Sequence, residues 1–300
     1  MGSVVVSVDV ALGWGIHDRL APPPEGLEAA REGWETLLDL LAAYEVPATW
    51  ALVGHLLLDE CDGVHAGYPA PAGWFDCERE EWADRPDLRF AGDLFERLRT
   101  DETGHELACH SFSNVPFDAA TTPRELAEAE VRAGLAVSRD HGFSPSTFVF
   151  PGDIVGYRDV LAAYDFICYR GAIHSRLGHS RVGRAITSLA AATPVVPRVV
   201  VPRLDEYGMV AIPVSLPLFG SVWGEAVVRG VRAGIRRAAR GDGVFHVSLS
   251  PTDLTGPAEV DRLRDLLDAI SEARRAHDLT VETMGAVGER VRWEPVALGQ

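Results

Sequence analysis

The chain has 300 residues, 47% of them hydrophobic, with four cysteines and a formal net charge of −16 in which every basic side chain is an arginine. That apolar content fills a large core and excludes disorder, and no run approaches the ~18 apolar residues of a membrane helix. An acidic surface excludes nucleic acid and anionic membrane as partners, and it suits either a high-salt cytoplasm or a GC-rich genome.

The chain enters an apolar run, Val4–Asp9, without a basic segment or a small-residue cleavage site, so a cytoplasmic location is expected. An amphipathic stretch follows at Gly26–Tyr44, then β-rich runs at Ala48–Val53, Glu106–His110, Thr147–Pro151, Phe166–Tyr169, Met209–Val214, Val244–Leu249 and Thr280–Glu282. Further helical patterns lie at Pro123–His141, Ser221–Arg240 and Pro257–His277. Strands alternating with helices imply parallel βαβ units, and near-continuously apolar strands imply a sheet covered on both faces. The rhythm predicts one α/β domain over 1–300, a barrel of seven or eight units. A G-x-G-x-x-G turn after the first strand, the mark of a dinucleotide fold, is absent.

Two long inserts, 59–86 and 174–205, follow the second and fifth strands and are expected to overhang the barrel mouth, with Trp74 or Trp82 near Asp9. The cysteines Cys61, Cys77, Cys109 and Cys168 form no C-x-x-C pair and read as small buried hydrophobes in a reducing compartment, Cys61 and Cys77 being the pair that could bridge. Arg229, Arg232, Arg236 and Arg240 share one helix face, read as a solvated outer face with an anion or partner patch as the alternative. His246 reads as a core histidine, and His65 and His105 as surface or loop residues.

Reactive groups of parallel barrels close the strands at their C-terminal ends. Those positions hold Asp9, His110 with Asn114, Asp153 after Phe150-Pro151-Gly152, and Ser250. The run Ser7-Val8-Asp9 with Gly13-Trp14-Gly15 and the segment Gly104 to Asn114 around His110 resemble motifs of the NodB-like polysaccharide deacetylases, carbohydrate esterase family four. Phe148-Val149-Phe150-Pro151, Cys168-Tyr169-Arg170-Gly171 and His246 to Pro251 resemble the later motifs, in family order.

The resemblance implies a distorted (β/α)7-8 barrel of the glycoside hydrolase/deacetylase type. It also implies a divalent metal, typically zinc, on one carboxylate and two histidines, an Asp base, and a histidine that protonates the departing amine. The base falls on Asp9 and one metal histidine on His110. The metal carboxylate falls on Ala11 (or Val10), the second metal histidine on Asn114, the base-orienting arginine on Gly152 and the histidine acid on Ser250. With four positions replaced, no cofactor is expected, Asp9 should lack an arginine, and His110 and Asn114 should face one way, one helical turn apart. His17, Asp18, Asp153, His174 and His179 are the candidates to stand in as ligands.

Trp14, Tyr169, Asp153 and Asn114 are the candidate substrate contacts. The expected partner is a saccharide or acetylated small molecule, bound with little or no deacetylase activity, and a protein partner is a further option. The alternative is a divergent hydrolase of non-peptide C–N bonds.

Overall fold

The computed structural model describes residues 2–17, 24–80, 82–171, 198–218, 225–241, 243–254, 256–277 and 279–293. Strands β1 (Ser3–Val10), β2 (Thr49–Leu52), β3 (Glu106–Cys109), β4 (Thr147–Phe148) and β5 (Cys168–Gly171) lie side by side in chain order, all parallel. The chain returns through β6 (Arg203–Leu204), antiparallel to β7 (Val210–Pro213), and β7 pairs parallel with β5. Two residues on, β8 (Leu216–Pro217) pairs parallel with β9 (Val244–Leu249), and β9 pairs with the free edge of β1. The run 210–217 thus bridges the two ends of the sheet, its first half on β5 and its second on β9. The pairings give a seven-stranded cylinder in which 210–217 counts once. A short β10 (Thr280–Glu282) pairs with the start of β1.

Successive side chains of a strand point to opposite faces, so each strand here serves two cores. Val4, Val6, Val8 and Val10 of β1 join Trp50, Leu52, Phe245 and Val247 in the outer layer. Helices α1 (Pro24–Ala43), α2 (Gly92–Arg99), α3 (Arg124–Asp140), α4 (Arg158–Ala163), α5 (Glu225–Ala238) and α6 (Pro257–Ala276) cover that layer. Helix α1 shows why it docks: Leu27, Ala30, Trp34, Leu37, Leu38 and Leu41 fall on one face and all are buried. The intervening residues Val5, Ala51, Ala108, Val149, Cys168, Val210 and Ile212 fill the cylinder, and Met284 and Val287 of α7 (Met284–Trp293) plug its lower end. There Glu106 accepts from Thr49 Oγ1 at 2.8 Å, from the Gly285 N–H at 2.9 Å and from Thr147 Oγ1. At the upper end the inward positions turn polar: Ser7, Asp9, His110, Arg170 and His246.

Among the described residues no helix is long and apolar enough to cross a membrane. Helix α1 meets the turn after β9 at Gly33, where a Cβ would lie 2.2 Å from the Pro251 carbonyl oxygen. A methyl there gains up to about 1 kcal/mol of helix propensity but forces the two backbones apart, a change that costs about 1–3 kcal/mol. Gly33→Ala therefore lowers the urea midpoint, whereas Gly92→Ala, in a helix with nothing within 4 Å, does not lower it. Equal midpoints for the two variants would refute this packing.

The first insert, 59–86, packs over the upper end of the barrel. Trp82 meets Trp14 edge-on at 6.3 Å, Trp74 Nε1 donates to Ser113 Oγ at 2.9 Å, and the Tyr68 hydroxyl donates to Glu130 Oε1 at 2.7 Å. Glu130 is fully buried on α3 and also accepts from the Phe112 and Ser113 N–H groups at 3.0 and 2.7 Å, so one carboxylate fastens insert, helix and loop. Most of the second insert lies outside the described residues. Its tail does not overhang the mouth: Val200 bridges Val244, the first residue of β9, at the lower end beside Ser3. Of the arginine face, Arg232 lies 3.8 Å from Asp265, and Arg236 and Arg240 border an open groove of 640 Å³ with Val199 and Val201.

Candidate functional site

Asp9 closes β1 pointing into the cylinder, and its partner comes from across the barrel. Arg170 Nη2 donates to Asp9 Oδ2 at 2.6 Å and Nη1 to Oδ1, a two-toothed pairing of guanidinium and carboxylate. The same guanidinium holds a second carboxylate: Arg170 Nε donates to Asp153 Oδ1 at 2.9 Å and Nη2 lies 2.7 Å from it. The Arg170 side chain is 1% exposed. The expectation that Asp9 lacks an arginine is therefore wrong. Gly152 supplies none, but the inward position of β5 does.

Gly152 has a left-handed φ of 64°, and Asp153 follows at 57°, which turns the Asp153 side chain toward Arg170. Below this pair, the Ser7 hydroxyl donates to His246 Nε2 at 2.9 Å, and His246 Nδ1–H donates to the Pro213 carbonyl at 3.2 Å. His246 is a core histidine as read from the sequence, but it also floors the charged cluster through Ser7. His110 Nδ1–H donates to the Val149 carbonyl at 2.8 Å, which leaves Nε2 as the lone-pair nitrogen.

The charge states follow from these neighbours. Burial alone would raise the Asp9 carboxyl, but the Arg170 guanidinium reverses this and holds it below the usual carboxylate range. Burial pushes His110 down, against the pull of Asp9, and pushes His246 down to about 3 with Arg170 adding to the effect. At neutral pH the site is an ionised Asp9 and arginine flanked by two neutral imidazoles.

Other sequence-based candidates lie elsewhere. Tyr169 neighbours Arg170 in β5 and so points outward, its ring 5.6 Å from Phe150 in the helix-facing layer; it does not line the mouth. Trp14 is fully buried, its ring 4.1 Å from His55, and its Nε1 donates to the Arg89 carbonyl at 3.3 Å, so it has no face for a ligand. Ser250 caps the turn 251–253: its Oγ accepts from Thr252 N at 3.4 Å, and its N–H donates to Asp253 Oδ2 at 2.8 Å. His110 to Asn114 is not a helical turn. Ser111 and Asn114 both take left-handed φ of 63°, and Asn114 Nδ2 donates to the Trp14 carbonyl at 2.8 Å. Asn114 Oδ1 is buried without a hydrogen-bond partner.

A divalent metal does not fit at the deacetylase position. Both Asp9 oxygens are taken by Arg170, Val10 packs in the outer core, Ala11 has no donor, and only His110 Nε2 remains as a strong ligand. Of the proposed stand-ins, Asp153 serves Arg170, and His17 Nδ1–H donates to the Trp14 carbonyl at 2.8 Å. Asp18, His174 and His179 lie outside the described residues.

Arg170 and His246 were the residues sequence reasoning undervalued. For His246 the signal was alternation: in Ser7-Val8-Asp9 and His246-Val247-Ser248 every second residue is polar inside an apolar run, which points a polar row into the barrel; Cys168-Tyr169-Arg170 carries no such signal.

No family model matches the chain, and no curated protein matches it in sequence. Solved structures do. A candidate polysaccharide deacetylase from Mycobacterium smegmatis superposes with a TM-score of 0.62 at 15% identity, covering 97% of this chain and 90% of that one. The allantoinase PuuE and a candidate polysaccharide deacetylase from Pseudomonas aeruginosa PAO1 each give 0.61 at 12% identity, covering 100% of this chain and 93% of theirs. At these identities the likeness is one of architecture, and the chain has the NodB-like polysaccharide deacetylase fold.

Proposed function

We propose that the barrel mouth binds a small acetylated, saccharide-like ligand and does not run metal-assisted deacetylation. The observation that carries this reading is the donor set at the deacetylase metal position, where Ala11 has no donor, Asn114 offers only an amide tied to the Trp14 carbonyl, and His110 Nε2 alone remains as a strong ligand. Without a metal the attacking water is not acidified toward neutrality, so the Asp9 carboxylate has no activated nucleophile to work on. The groups left to a ligand are acceptors: His110 Nε2, the orphan Asn114 Oδ1 and the outer lone pairs of Asp153. They suit the hydroxyl and amide N–H donors of an N-acetylated sugar. Cysteines held as buried or half-buried thiols fit a reducing, cytoplasmic compartment, where a soluble small ligand replaces finished cell wall as the target.

Thermal unfolding against a panel of N-acetylated monosaccharides tests the reading. The expected result is saturable stabilisation reaching about 2.7 kcal/mol at a hundredfold excess over Kd, abolished in Asp153→Ala, with no acetate release in zinc-containing buffer. Zinc-dependent acetate release would overturn it. A second reading, metal-free hydrolysis of an activated C–N bond, draws on the ionised Asp9 beside neutral His110. It requires turnover that survives chelators and is lost in Asp9→Asn.

A further inference from the structure

The first insert carries a second cluster, separate from Asp9 and His110. His55 sits in the turn Gly54–Leu57 after β2, Cys61 and His65 in the insert, and Glu78 in the turn Asp76–Glu78. Their donor atoms all lie within 4.8 Å of one another. Cys61 Sγ is 3.3 Å from His65 Nε2 and 3.4 Å from Glu78 Oε2, and His65 Nε2 is 3.0 Å from Glu78 Oε2. His55 Nε2 stands 3.1 Å from Glu78 Oε1.

The side chains of His55 and Glu78 are fully buried, yet neither His55 nitrogen nor Glu78 Oε1 makes an aligned hydrogen bond. Around them are the rings of Trp14, Phe75, Phe90 and Phe112, the nearest to His65 being Phe75 at 3.8 Å. A carboxylate and an imidazole in an aromatic pocket with unused lone pairs are costly unless something electropositive satisfies them. The Arg89 guanidinium, 3.8 Å from Glu78 Oε1, is too far to do so by hydrogen bonding; its Nη1 instead donates to the Glu78 backbone carbonyl at 3.0 Å.

We propose that His55, Cys61, His65 and Glu78 form a structural zinc site that fastens the insert to the end of β2. Four ligands at zinc bond lengths of 2.0–2.3 Å sit about 3.3–3.7 Å apart on a tetrahedron. The spacings here approach that figure, and a modest expansion admits the ion. Two imidazoles and a thiolate select a borderline-soft metal over magnesium or calcium. With four protein ligands no position is left for water, so the site holds structure and does no chemistry. Because the Trp14 ring packs tilted against His55 at 4.1 Å, the ion would also hold Trp14 in place. Sequence reading took Cys61 as a buried hydrophobe and His65 as a surface or loop residue. His65 is a loop residue, but one only 13% exposed and stacked on Phe75, and Cys61 is half-buried against polar partners. The overlooked signal is the Cys61-x3-His65 pair in an insert that follows His55 and contains Glu78.

Purified full-length protein loaded with zinc or cobalt(II) provides the test. The expected result is one ion per chain, and for cobalt the intense visible bands of four-coordinate geometry with a near-ultraviolet thiolate-to-cobalt band. Cys61→Ser loses the thiolate band, His65→Ala weakens affinity by roughly 100-fold or more, and His110→Ala changes neither. Without any variant, zinc should slow alkylation of Cys61 at least tenfold, and a chelator should restore it. Absence of bound metal, no thiol protection, or an ion lost in His110→Ala but kept in Cys61→Ser would overturn the proposal.

Discussion

Replacing Arg170 by methionine is expected to remove about 3 kcal/mol of stability, toward the lower end of what breaking a buried ion pair costs. Methionine keeps much of the volume but leaves Asp9 and Asp153 facing an apolar side chain with no cation. The two carboxylates are 29% and 18% exposed, so water reaches them and holds the cost to that lower end. The effect has a pH signature. In the wild type the Asp9 pKa is depressed, so its stabilisation is present above the unfolded carboxylate value and disappears as pH falls through the folded one. In the variant Asp9 has lost its partner and its folded pKa rises, so acid relieves the strain. The gap between the two urea midpoints should therefore narrow from pH 7 to pH 4. Adding Asp9→Asn to the variant should recover part of the loss, and Arg170→Lys should recover little because an ammonium cannot fork onto two oxygens. A single variant within 1 kcal/mol of wild type across this range would contradict the assigned pairing.

Acidification is expected to destabilise the wild type well above the pH at which carboxylates protonate. His246 is fully buried and its folded pKa is about 3, below the ~6.5 of an unfolded histidine. As pH falls, the unfolded chain takes up the proton first. The stabilisation is complete above about 6.5 and declines through the interval down to the folded value, by up to ~1.4 kcal/mol per pH unit. Between pH 6.5 and 4.5 that amounts to roughly 2–3 kcal/mol, and His110 shifts in the same direction. Urea midpoints from pH 7.5 to 4.5 measure it. His246→Gln should start lower at pH 7.5, through disturbance of the Ser7 and Pro213 hydrogen bonds, and then fall less steeply by about one proton. Parallel curves for the two proteins would show that folding does not lower the His246 pKa.

The barrel was legible because its signal is long-range and redundant: apolar runs at regular intervals with amphipathic stretches between them. Strand ends at Asp9, His110 and Asp153 were legible for the same reason, since the parallel register carries each to the same rim. The partner of Asp9 was not. Nothing local ties Arg170 to a residue 161 positions earlier; only the closure of the sheet brings them together. Tyr169 and Trp14 failed differently. An aromatic at a strand end reads alike whether it faces a ligand or a helix, and one residue of strand register decides between them. The histidine and cysteine of the insert escaped because irregular loops carry no periodicity from which to infer neighbours.

The split strand 210–217 and β9 have a consequence for how the protein is made. Strand β1 leaves the ribosome first, yet its second neighbour β9 begins at Val244, and Ser7 and His246 are 239 residues apart. Until that segment emerges, β1 presents an open edge of apolar backbone, the kind of surface that recruits other chains. Helix α6 cannot shield its part of the outer layer any earlier. Until synthesis passes β9 the sheet therefore stays open along β1, and the cylinder shuts only when β9 arrives to seal it.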